Sequence, residues 1–198
     1  MKRRFFVLTS VAIFAGTSIA LSADLFGRGK YESAGYEVAK SDGAYEVRNY
    51  PDILVASAPM SDGSGRNNAF RSLFQYISGG NASGAKIAMT TPVFTTPESG
   101  RKAGMMSFVV PADVAKAGAP KANSSSVVIA KRRAGKFAVY RYSGRWTEAR
   151  EAKAQARLEA WMAEKGLKAK GSFEKANYDP PFTPGFMRRN EILVRLAD

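Results

Sequence analysis

Histidine and cysteine are both absent from the chain, which decides most of what its side chains can do. Without imidazole there is no Ser-His-Asp or Cys-His relay and no histidine ligand for a metal. Without thiol there is no cysteine nucleophile, thiolate site or disulfide. Ser83-Gly-Ala-Lys86 has the Ser-x-x-Lys spacing of penicillin-recognising enzymes. In those enzymes the Ser opens a helix that carries the Lys one turn on, whereas Gly84 and the strand-like run 87–93 make this a turn into a strand and the spacing a chance match. Glu46 and Glu191, each in an alternating run beside arginines, read as cross-strand ion pairs rather than as an acid and base couple. No stretch has phosphate-loop, metal-ligand or nucleic-acid-module spacing. Glu, Lys and Tyr remain as acid and base groups, too little to read the chain as an enzyme.

The stretch best suited to binding runs over residues 178–196. Pro180, Pro181, Pro184 and Gly185 exclude helix, and 190–196 alternates as a closing strand. Tyr178, Phe182, Phe186 and Met187 beside Arg188 and Arg189 offer an apolar surface with a cationic rim, suited to a flat, greasy, anionic ligand. A proline-stiffened crossover capping the core fits the same residues. Thirty basic against 17 acidic residues give a net charge of +13, which favours anionic partners and a peripheral attraction to anionic membrane surface. The basic residues are spread along the chain and form no stripe, which argues against nucleic acid.

These residues must be positioned by the elements around them. Residues 1–23 have a basic start (Lys2, Arg3, Arg4), an apolar run and the small residues of Ala20-Leu-Ser22-Ala23, the pattern of a cleaved secretory signal, with a retained anchor as the alternative. Arg3-Arg4-Phe5-Phe6-Val7 is similar to a twin-arginine signal, so the expected location is periplasmic or secreted. Residues 24–35 read as a linker and 36–198 as one domain. Within it, Asp42-Gly43 turns a hairpin between strands at 36–40 and 44–50, and 53–58 continues as a buried strand. Phe70, Leu73, Phe74 and Ile77 recur at helical steps until Gly79 and Gly80 stop them. Strands follow at 86–94 and 105–110, then a Pro, Ala, Gly and Ser-rich surface loop at 111–126. From Val127 the order repeats: strands at 127–132 and 136–142, a helix capped by Thr147 with Ala154, Leu158, Trp161 and Met162 on one face, and strands near 172–177 and 190–196. Corresponding elements lie about 85 residues apart, a weak duplication of a strand-helix-strand-strand unit. The expectation is an α+β fold, one continuous antiparallel sheet with both helices outside it.

Tyr45-Glu-Val-Arg-Asn-Tyr-Pro51, the run from Tyr76 through Ala88-Met-Thr-Thr-Pro-Val93, Met106-Ser-Phe-Val-Val-Pro111 and Tyr178-Asp-Pro-Pro-Phe-Thr-Pro-Gly-Phe-Met-Arg-Arg-Asn-Glu191 resemble the SOUL haem-binding family, in the family's order and over residues 36–198. The resemblance implies a distorted antiparallel barrel of two pseudo-symmetric halves with two outer helices. It implies haem or a related porphyrin bound in an exposed apolar cleft beside the first helix, with basic residues near the propionates. Carried over by position, Asn67, Phe70, Arg71, Phe74 and Gln75 would line that cleft, with Met187 and Arg188 bordering it. Phe70 and Phe74 fit equally well as core residues facing the sheet. The axial histidine proposed in some members falls at Asn49, and an amide does not replace it on iron. Met60, Met89, Met105, Met106, Met187 or a tyrosine could coordinate instead, although Met in such a chain commonly fills core. The implied function is therefore a tetrapyrrole carrier or scavenger that does not ligate iron through histidine. The alternative is a binding module for another amphipathic anion, such as a lipid or small metabolite.

Overall fold

The structure is a computed structural model and describes residues 31–60, 65–99 and 103–197. The expected signal segment, and most of the segment read as linker, lie outside the described residues. Eleven strands and three helices follow in order: β1 (Glu32–Ser33), β2 (Glu37–Asp42), β3 (Tyr45–Tyr50), β4 (Ile53–Met60), α1 (Gly65–Ile77), β5 (Thr90–Thr91), β6 (Val93–Thr96), β7 (Gly104–Val109), α2 (Ala112–Ala117), β8 (Val128–Arg132), β9 (Gly135–Tyr142), α3 (Glu148–Glu164), β10 (Glu174–Asn177) and β11 (Asn190–Arg195). Nine strands form one antiparallel sheet in the order β2-β3-β9-β11-β10-β6-β7-β4-β8.

That order carries the internal repeat. Reading outward from the β6/β10 pair, β6-β7-β4 on one side mirrors β10-β11-β9 on the other. In the chain, β4-α1-β6-β7 and β9-α3-β10-β11 are the same unit twice. Each half also lends its preceding strand to the other, β3 pairing β9 and β8 pairing β4.

The sheet is open, not the closed barrel that the resemblance implies: its order ends at β2 and β8. Its inner face nevertheless buries one cluster drawn from both halves, including Tyr50, Val55, Phe94, Phe137, Val139 and Leu193. A side chain from the β8 margin reaches across this face. From β8, the Arg132 guanidinium lies 4.3 Å from the Phe137 ring centroid, 4.5 Å from Phe94 and 5.1 Å from Tyr50, and donates to Glu174 at 2.8 Å. That places a cation over three rings of the inner cluster, while the exposed edge strand β2 carries Glu37, Lys40 and Asp42, charges that discourage further pairing.

The opposite face is covered by the two long helices. Beneath α3 lie Val47, Ala138, Tyr140, Ile192 and Val194 against Ala154, Leu158, Trp161 and Met162, the helical face read from the sequence. Thr147 caps this helix, its hydroxyl accepting the Arg150 N–H. Beneath α1 lie Ala56, Ala58, Met106 and Phe108 against Ala69, Leu73, Tyr76 and Ile77.

Other departures have local causes. The strand expected at 86–94 is two strands, because Pro92, with no N–H to give, interrupts the ladder between β5 and β6. Tyr31 onward is not linker: β1 pairs in parallel with β5, and Ala34 is buried in the inner cluster. The loop at 111–126 contains α2, which follows Pro111 and has Asp113 in its first turn and Lys116 in its last, charges that suit the helix ends. Composition hid that charge order.

Candidate functional site: a cleft beside the first helix

Alternation along the strands sends Val93 and Thr95 of β6, Met106 of β7, Asn177 of β10 and Asn190 of β11 to the outer face, between the two long helices, where they floor a cleft of about 520 Å³. The cleft therefore straddles the β6/β10 pair about which the halves repeat. Helix α1 forms one wall through Arg66, Asn67, Phe70 and Phe74. The proline loop forms another through Pro180, Pro181 and Arg188, and Trp146, just ahead of α3, a third. This size falls within the range typical of small-molecule sites.

The α1 wall is apolar because the helix's core-facing stripe lies one position away from where the sequence pattern suggests. Ala69, Leu73, Tyr76 and Ile77 are buried, leaving Phe70 at 42 % and Phe74 at 52 % exposure. Their rings lie nearly parallel, 6.1 Å apart, and Phe70 meets Phe108 edge-on at 5.5 Å. The core alternative for these two is corrected: both face the cleft. Arg66 stacks its guanidinium 3.9 Å above the Trp146 ring. Burial lowers its pKa, while Glu151 and Tyr142 pull the other way. Glu151 is itself buried, ion-paired to Lys175, with Oε1 lacking a hydrogen-bond partner. Burial, then Glu151, hold the Tyr142 hydroxyl well above its ordinary pKa. The floor is fixed by Asn177 Nδ2 donating to Asn190 Oδ1 at 3.0 Å and Asn190 Nδ2 donating to the Gly144 carbonyl at 3.0 Å. Arg188 is oriented by its bonds to the carbonyls of Thr183, at 2.8 Å, and Pro181.

Of the residues singled out from sequence, Asn67, Phe70, Phe74 and Arg188 line the cleft. Arg71 and Gln75 are exposed on α1 and Met187 is half-buried in the turn Gly185–Met187, and none of the three lines it. Arg66 was missed although it shares the 67, 70 and 74 side of the helix, and Trp146 carried no local signal; of the methionines named as possible iron ligands, Met89 and Met106 line the cleft. Asn49 belongs elsewhere. It pairs with Lys136 whereas Asn190 pairs with Tyr142 on the same strand β9, six residues or about 20 Å along at the usual rise per residue. A ligand at position 49 would not reach iron held in this cleft.

A separate ionic cluster lies on the inner face. Glu191 Oε2 accepts from Arg48 Nη1 at 2.7 Å and from the Tyr178 hydroxyl at 3.1 Å, while Oε1 accepts from Arg48 Nη2 at 2.9 Å and Arg189 Nη2 at 2.7 Å. Glu46 accepts from Arg48 Nε at 2.6 Å. Two arginines face two carboxylates: Glu191 pairs with Arg48 across strands as expected, whereas Glu46 takes the same Arg48 from two residues along its own strand rather than from a neighbouring one. No group of three or more His, Cys, Asp or Glu among the described residues is placed to hold a metal.

Residues 31–195 match the family described as SOUL heme-binding protein. The chain belongs to the SOUL haem-binding family. No curated protein is significantly similar to it in sequence. Among solved structures it is similar to the EcmrR C-terminal domain, at 15 % identity over 78 % of this chain and 97 % of that one, with a TM-score of 0.54. It is also similar to a protein described as a hydrolase from Listeria innocua, at 14 % identity over 80 % and 94 %, TM-score 0.57. An uncharacterized conserved protein from Listeria innocua follows at 12 % identity over 77 % and 92 %, TM-score 0.56. At these identities the likeness is one of fold. Family membership suggests haem binding for this SOUL protein.

Proposed function

We propose that this SOUL protein is an exported tetrapyrrole-binding protein, a carrier or scavenger that holds haem or porphyrin without histidine on iron. The observation that supports this reading best is the half-exposed Phe70–Phe74 pair on a cleft flanked by Arg66 and Arg188. Two near-parallel rings offer a flat apolar wall to a macrocycle, and two guanidiniums suit its carboxylates. Met89 and Met106 put thioethers at the cleft, but the affinity comes from area: burial worth about 25 cal/mol per Å² supports roughly micromolar binding with no bond to metal. When bound, haem would supply the iron, and the residues described here would supply orientation and shielding. Export rests on the signal pattern of residues 1–23.

The test is a titration with haem and with iron-free protoporphyrin. Saturable binding of both, with similar affinity, is the expected result; no saturation at tens of micromolar removes the proposal, and a strong preference for haem would mean that iron is ligated. If both fail, a thermal-shift screen of lipids and other amphipathic anions addresses the alternative ligand class for the same cleft.

A further inference from the structure

Six large hydrophobic side chains are exposed among the described residues: Phe70, Phe74, Val128, Trp146, Phe182 and Phe186. Three of them line the cleft, and two more stand on the loop that forms one of its walls. Phe70, Phe74 and Trp146 are on its walls, and Phe182 and Phe186 are carried by the loop whose Pro180, Pro181 and Arg188 form its side. At 84 % and 80 % exposure, Phe182 and Phe186 do no work in the core and do not line the cleft. The loop is braced into this shape. Thr183 N–H donates to the Pro180 carbonyl at 3.1 Å, Met187 N–H to Pro184 at 3.0 Å, Gly144 N–H to Gly185 at 2.9 Å, and Arg189 N–H to Asp179 Oδ2 at 2.6 Å. Two phenylalanines held outward on a stapled loop, whose neighbouring residues share a cleft with three more exposed aromatics, concentrate apolar surface on this side of the molecule, and surface of that kind marks interaction sites.

Charge indicates what covers it. Arg145 packs beside Gly185, next to Phe186, and is exposed; Arg71 is exposed one residue along α1 from Phe70. Of the nearby acids, Glu151 is ion-paired with Lys175, while Asp179 lines the cleft and keeps its charge on accepting the Arg189 N–H, and Glu148 stands at the start of α3. The whole chain carries +13. Aromatics ringed by arginine suit a bilayer interface, where rings enter the acyl boundary and cations meet phosphates. We propose that the mouth of the cleft is a docking face for an anionic lipid bilayer, with Phe182 and Phe186 inserted and Arg71 and Arg145 at the headgroups. No helix among the described residues is long and apolar enough to cross a membrane; the contact proposed here is made by the loop and its flanking arginines. Docking in this orientation turns the cleft toward the lipid, where an amphipathic ligand partitions.

All the core clusters lie within residues 34–196, so the chain from Asp24 onward carries the fold and removes the apolar N-terminal run as a second source of lipid binding. Co-sedimentation is measured at about 0.1 M salt with vesicles of phosphatidylcholine alone and with about one third phosphatidylglycerol. The expected result is partitioning onto the anionic vesicles, weaker by about tenfold or more on neutral ones. A similar loss, with unchanged melting temperature, is expected for a Phe182→Ser, Phe186→Ser double variant on anionic vesicles. Arg145→Ala should weaken binding and flatten its salt dependence. Absence of vesicle binding, equal binding to both compositions, or a double variant that binds like the parent would each overturn the proposal. So would a concentration-dependent dimer that the double variant abolishes in the absence of lipid binding, which would assign the face to a second copy. The vesicles hold no tetrapyrrole, so this outcome is independent of the porphyrin titration.

Discussion

Glu191 shows how a single carboxylate can be obligatory without being catalytic. Burial alone would raise its pKa, but Arg48 and then Arg189 outweigh that and hold it below the ordinary value. Because the folded-state pKa is depressed, its contribution to stability is present above the unfolded value of about 4.3 and is lost as pH falls through the folded one. Replacing Glu191 with Gln leaves buried Arg48 with Glu46 alone and the part-buried Arg189 without its carboxylate, and urea unfolding at neutral pH should show a loss of about 3–5 kcal/mol. The gap between variant and parent should narrow below about pH 4. If the gap is the same at both pH values, the carboxylate's charge is not what holds the cluster. Phe74 is the opposite case. At 52 % exposure it contributes little to the core, so Phe74→Ala should leave the melting temperature within about 2 °C while weakening protoporphyrin binding by about tenfold. A large drop in melting temperature would return Phe74 to the core. Glu191 could be read as an ion pair from alternation and its arginine neighbours. Phe74 could not be placed from spacing, because a one-position rotation of α1 moves it between core and cleft while leaving the periodicity intact.

At the scale of elements, α1 sets the cleft, and Gly65 sets α1. A Cβ at Gly65 would sit 2.6 Å from the Met60 carbonyl carbon and 2.8 Å from its oxygen, both backbone atoms at the end of β4. Neither can step aside without moving the strand. Gly65→Ala should therefore destabilise the fold by about 1–3 kcal/mol and also weaken porphyrin binding, as seen in paired melting and titration experiments; a change in neither would show that the helix start is free to shift. Helix α3 holds Trp146 only through its leading turn. Thr147→Ala should cost about 1 kcal/mol of stability with a smaller effect on ligand affinity, since the cap acts before the first residue of the helix. The helices, the repeat and the Thr147 cap were legible because each depends on neighbours in the chain. The break at Pro92 and helix α2 were legible in principle, from a missing N–H and a charge order, and were masked by the apolar run and by composition.

For the whole molecule, export and fold raise separate expectations. If residues 1–23 act as a twin-arginine signal, a reporter fused to residues 1–30 should lose export when Arg3 and Arg4 become Lys; undiminished export would leave a general secretory signal as the reading. The sequence by itself determined the α+β class, the two repeated units, the lack of imidazole and thiol chemistry and the family, because these follow from composition, periodicity and motif order along the chain. Only the tertiary structure decided that the sheet stays open, that Arg132 lies over three rings of the inner cluster, that Asn49 lies far along the sheet from the cleft, and that Phe70, Phe74 and Trp146 share one cleft with the proline loop. Those facts depend on which strands of the two halves become neighbours and on how far the sheet curls, and both are set by side-chain packing between residues distant in the chain.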